Sequence, residues 1–148
     1  MNTLTRNLPY EIQLIIISFI PSCQPKSLCD DIKSFYKAHK SAIETYQRQW
    51  RHSQPDLAED WLVNDTVRFM NRDVPTMYGY QDYYKNIIKR HFSMKNKNDQ
   101  EIDELMGQID EYGGEENNNL FKISLGLMTP RERSALLKFF DSYQITDT

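Results

Sequence analysis

The sequence predicts an all-α protein, a helical bundle of about six to eight helices. Two observations carry that prediction. No stretch alternates β-branched and polar residues, and no Asn-Gly or Asp-Gly pair offers a hairpin turn. Apolar residues instead recur at three- and four-residue intervals, in segments that open on capping residues or proline.

The first segment places Ile12, Ile15, Ile16, Phe19 and Ile20 at i, i+3, i+4, i+7 and i+8, one broad apolar face. Pro9 suits its first turn, where a missing N–H is harmless, and Pro21 ends it. After Pro25, Leu28, Ile32, Phe35 and His39 continue at helical spacing, then Ile43, Tyr46 and Trp50, as two short helices or one bent one. A fresh start at Ser53–Asp56 precedes Leu57, Trp61 and Leu62, and a further helical piece is expected around Thr66–Arg72. Residues 73–79, with Pro75 and Gly79, look like a linker and the best candidate for a module boundary.

From Tyr80 the helical spacing resumes through Tyr84, Ile87, Ile88 and His91. Asn98 and Glu101 then form a capping box ahead of Ile102, Leu105, Met106 and Ile109, and Gly113-Gly114 ends that helix. Leu120, Ile123 and Leu127 suggest a short helix closing near Gly126. Thr129, Pro130 and Glu132 supply a cap, a first-turn proline and a second box for a last helix carrying Leu136, Phe139, Phe140 and Tyr143.

The 148 residues fit one domain or two small ones, and 39% hydrophobic with 12% aromatic residues is enough apolar surface for a core. The formal net charge of −3 is unevenly spread. Residues 1–55 hold seven Lys and Arg against four Asp and Glu, whereas residues 99–148 hold four against eleven. The whole chain therefore offers no general attraction to polyanions, although a local patch remains open. The one long apolar run, Leu14–Ile20, has seven residues where a membrane-spanning helix needs about 20. The expected location is intracellular, cytoplasmic or nuclear, away from membranes. Cys23 and Cys29 match no usual zinc spacing, His39, His52 and His91 are scattered, and no phosphate loop or nucleophile elbow occurs. No catalytic residue, metal or cofactor is expected.

Leu8-Pro9 followed by Glu11-Ile12, an apolar helix ending Phe19-Ile20-Pro21, then Leu28, a basic stretch over Lys33–Lys40 and a closing Trp50 together resemble an F-box. The resemblance covers about 43 residues, 8–50, and none of 51–148; it implies a three-helix module over residues 1–55, followed by a helical region over 56–148 that could be continuous with it. Its middle departs from the family pattern, since Phe35-Tyr36-Lys37-Ala38 stands where family members often carry a Cys-Lys-Arg-Trp-like run. The resemblance implies an adaptor or decoy that engages the adaptor subunit of a cullin-type ubiquitin ligase, with the rest of the chain presenting a substrate. Leu8, Pro9, Ile12 and Ile16 would dock, and Leu28 and Trp50 would hold the helices together. Such short chains also resemble proteins of large DNA viruses of eukaryotes, which implies a host-cell or virion setting.

Other readings of the residues stay open. Leu8–Trp50 also suits the opening helices of a plain bundle, which would make the chain a structural or virion-associated assembly protein, including a homodimer. Lys85, Lys89, Arg90, Lys95 and Lys97, interleaved with Tyr80, Tyr83, Tyr84 and Phe92, form a stretch that could contact nucleic acid. The acids that follow from Asp99 could equally neutralise it within the fold, folding the two helices back antiparallel with Ile87 and Ile88 against Ile102, Leu105 and Ile109.

Overall fold

The computed structural model describes Pro9, Glu11, Ile12, Ile15 and residues 25–50, 57–111 and 117–143. It is all-α as the sequence predicts: among the described residues lie six α-helices and no strand. They are α1 (Lys26–Trp50), α2 (Ala58–Met70), α3 (Asp82–Ile88), α4 (Asp99–Glu111), α5 (Asn117–Leu127) and α6 (Pro130–Tyr143), with a 3-10 turn at Thr76–Tyr78 between α2 and α3. No helix among the described residues is long and apolar enough to cross a membrane.

The chain forms two compact units, Met1–Asp30 and Asp31–Thr148. The expected division near residue 55 falls elsewhere for a physical reason. Residues 31–50 belong to the larger unit because the buried face of α1, Ala38, Ala42 and Tyr46, is part of the same core as Leu62, Leu136 and Phe140. Tyr46 meets Phe140 edge-on at 5.2 Å and its hydroxyl donates to Asp65 Oδ2 at 2.5 Å. Burial and that carboxylate push the Tyr46 phenol up, so it stays protonated throughout the physiological range. Trp50 stacks on Trp61 with centroids 5.4 Å apart and planes 4° from parallel.

In the smaller unit, Ile12 N donates to Pro9 O at 3.0 Å. Pro25 begins the turn that leads into α1, its carbonyl accepting from Leu28 N and Cys29 N. From there α1 runs unbroken for 25 residues, which decides for one helix between the two short helices or one bent one that the spacing allowed.

Within the larger unit α2 is the central helix, packing on α3, α5 and α6. It is continuous from Ala58 to Met70, absorbing the separate piece expected at Thr66–Arg72, because Leu62, Val63, Thr66 and Met70 all face the core. The Thr66 hydroxyl is satisfied by the Leu62 carbonyl at 2.7 Å, so this polar residue is buried without an orphan group. Phe69 links α2 to α6 through Phe139 and to α3 through Tyr83.

Both expected capping boxes form. Asn98 Oδ1 accepts from Glu101 N at 2.9 Å while Glu101 Oε2 accepts from Asn98 N at 2.8 Å, and Glu132 Oε2 accepts from Thr129 N at 2.7 Å. α3 and α4 run antiparallel: Tyr84 hydrogen-bonds the Met106 sulfur, and Lys85 and Lys89 pair with Asp103 and Asp99. Ile87, Ile88 and Ile102 are buried, and the side chain of Ile109 lies outside the described residues. Contrary to expectation, α3 stops at Ile88 and His91 sits in the turn beyond it, its Nδ1 close to Ser93 Oγ at 2.7 Å.

Candidate protein-docking surfaces

Most bases of the candidate nucleic-acid stretch are occupied within the fold. Lys85 binds Asp103 at 2.9 Å, Lys89 binds Asp99 at 2.5 Å, and Arg90 binds both carboxylate oxygens of Glu132 as well as the Leu127 carbonyl. Lys95 is exposed and Lys97 half-buried in the turn that follows, where Phe92 is also exposed. The fold uses three of the five to tie α3 and the turn that follows it to α4 and α6.

Arg90 and the Thr129 cap together hold the Glu132 carboxyl down to about 2. Burial does the opposite to His39: its ring lies between Phe35 and Phe121, Nε2 is buried without a hydrogen-bond partner, and desolvation, then Lys122, depress its pKa below 6.5. The two groups give separate acid limbs. His39 disfavours the folded state increasingly as pH falls below 6.5, because the unfolded chain takes up that proton more readily. Glu132 contributes stability above pH 4.5 that is lost as pH falls towards 2, on the order of 1–2 kcal/mol with the partial exposure of Arg90 allowed for. Thermal unfolding followed against pH should show both limbs. His39→Gln should flatten the upper one, and Glu132→Gln the lower one.

Two surfaces in the structure have the chemistry of protein contacts. The first is the N-terminal one. Among the residues that the resemblance marks for docking, Pro9 and Ile12 are exposed, Ile12 to 41%, and Ile15, three residues on and on the same helical face, is exposed to 51%. Leu8 and Ile16 lie outside the described residues. Of the two residues expected to hold the helices together, Trp50 is packed against Trp61, whereas Leu28 is exposed on α1.

The second surface went unread in the sequence, where residues 73–79 look like a linker. They are a tied loop. Asn71 is fully buried; its amide nitrogen donates to Val74 O at 2.6 Å and Gly79 O at 3.1 Å, and its Oδ1 accepts from Gln81 N at 2.7 Å. Arg72 and Asp73 both hold left-handed backbone conformations, φ 57° and 61°, which non-glycine residues adopt at a cost. Side chains keep them there: the Arg72 guanidinium lies 3.8 Å over the Tyr83 ring, and Arg68 grips Asp73 through Nε and Nη2. Gly79, at φ 96°, closes the loop in a region open to glycine.

The rigid loop displays Met77 at 81% and Tyr78 at 73% exposure. Beside it runs a groove of about 430 Å³ lined by Trp61, Asn64, Val67 and Arg68 from α2 and by Asp73–Thr76 from the loop. The sequence signal for this site was the Asn71-Arg72-Asp73 run at a helix end, ahead of an apolar Met-Tyr pair.

Among the described residues no group of His, Cys, Asp and Glu could hold a metal ion. In comparison with known proteins, no family model, no curated protein and no solved structure matches the chain.

Proposed function

We propose that the chain is a protein-interaction module that docks, in the manner of an F-box, on the adaptor subunit of a cullin-type ubiquitin ligase through its N-terminal helical stretch, the larger unit serving as a presenting or decoy surface. The observation that carries the reading is the exposure of Ile12 on the turn opened by Pro9. A β-branched apolar side chain held at the surface beside a proline turn suits insertion of a short amphipathic helix into a partner's apolar groove. Ile15 extends the same face, and Leu8-Pro9 and Glu11-Ile12 are the residues on which the family resemblance begins.

The test is direct binding of the full chain to a purified ligase adaptor subunit. Ile12→Asp, and Leu8→Ala with Pro9→Ala, should abolish capture and leave the melting temperature nearly unchanged, because surface substitutions rarely move stability by more than about 0.5 kcal/mol. A loss of roughly 2–5 kcal/mol, typical of truncating a buried aliphatic side chain, would place these residues in the chain's own core and end the docking reading.

A further inference from the structure

We infer that the loop at residues 71–79 and the groove beside it form the two halves of a self-complementary surface, and that its occupant is a second copy of this chain in a symmetric dimer. The inference is independent of the N-terminal docking reading.

A two-fold dimer needs one patch that fits itself, so that a projecting group on each copy meets a recess on the other. The surface has both parts side by side. Met77 and Tyr78 project, and they directly follow Pro75 and Thr76, which line the recess. The recess is walled by the Trp61 indole and by Val67, Val74 and Pro75, chemistry suited to a thioether or a phenol ring. Its volume, about 430 Å³, accommodates either side chain.

Charge and area favour the same occupant. The two charged residues in the lining, Arg68 and Asp73, neutralise each other at 2.6 Å, so a two-fold axis would not set a net charge against its own image. Leu57, which caps α2, and Trp61 one turn further on, together with Met77 and Tyr78, expose roughly 500 Å². That is the larger part of the approximately 800 Å² per partner that a stable interface buries, with the polar groove residues left to supply a rim.

The loop's rigidity explains why two left-handed residues are worth keeping. Asn71, Arg68 and Tyr83 hold the Met77-Tyr78 pair in place before association, so little ordering entropy is lost when the copies meet.

Sedimentation velocity of the full chain, from micromolar to sub-millimolar concentration, tests the inference. The mass should rise from 17.6 kDa towards twice that value. Met77→Lys combined with Tyr78→Glu should weaken self-association at least about thirtyfold, the effect of removing an interface anchor, at an unchanged melting temperature. Asn64→Lys, which puts a charge into the groove from an exposed helix position, should weaken it similarly and serves if the first variant fails to fold. A monomer at every concentration would overturn the inference. So would a dimer whose association constant is unmoved by either variant. Adaptor binding separates the two proposals: Ile12→Asp should leave the dimer intact, and the loop variants should leave adaptor capture intact.

Discussion

Replacing Arg133 by alanine is expected to destabilise the protein by about 2–4 kcal/mol, because it empties a buried site and takes the donor away from the Leu125 and Asp31 carbonyls. Arg133 is 2% exposed on the core face of α6. Its Nε donates to the Leu125 carbonyl at 2.8 Å, and its Nη1 donates to the Asp31 carbonyl at 3.0 Å and to Asp31 Oδ1 at 2.7 Å. Its guanidinium also lies 5.6 Å from the Phe35 ring centroid. One side chain thus ties the last turn of α5 to α1 and α6. At a helix C-terminus, unpaired carbonyls and the negative end of the dipole favour a cation, which is why an arginine rather than a leucine fills this position. Chemical denaturation should show the loss with little change in the denaturant slope. Arg133→Lys should recover only part of it, since a lysine cannot reproduce the planar fork that serves two carbonyls and a carboxylate. Asp31→Asn should cost less, because Asp31 is partly solvated and the arginine keeps its carbonyl partners.

The second large effect is expected at Asn71. Asn71→Ala removes three hydrogen bonds at once and strands Val74 O, Gly79 O and Gln81 N, for a loss of roughly 2–4 kcal/mol. Asn71→Asp should be as damaging at neutral pH, because a carboxylate would face two carbonyl oxygens that now receive N–H groups. Hydrogen exchange offers a sharper reading than global stability. The Gln81 amide should lose protection with the surrounding loop while the amides of α5 keep theirs. If the whole core loosened together instead, the loop would be part of the core's own cooperativity rather than an ordered appendage.

Comparison of particular elements shows why part of this architecture was legible beforehand. The capping boxes at Asn98/Glu101 and Thr129/Glu132 are local: their partners lie three residues apart, so sequence order already guarantees proximity once a helix starts. The apolar stripe of α4 and the meeting of the basic stretch with the acids of α4 were also readable, because the opposite charge blocks abut in the sequence and the segment between the two helices is short enough for them to fold back on each other. The same locality explains a limit. Position 133 shares a helix face with Leu136 and Phe140, but nothing near it in sequence indicates that a charged residue there finds Asp31, 102 residues away.

Asn71 and the loop it holds illustrate the converse. Asparagine, proline and glycine in one stretch are the ordinary composition of a solvated linker, and composition carries no information on whether an amide is buried. The helical class, the helix starts and the charge asymmetry were determined by the sequence itself, since helix formation depends on periodicity and on groups within one turn of each other. The tertiary structure alone decided that α1 is a single helix sharing the main core, that Arg133 and Asn71 are internal, that Arg90 meets Glu132, and that Met77 and Tyr78 stand in solvent beside a groove. Those outcomes depend on contacts between residues distant in the chain, where burial and hydrogen-bond satisfaction outweigh the preferences that any local segment expresses.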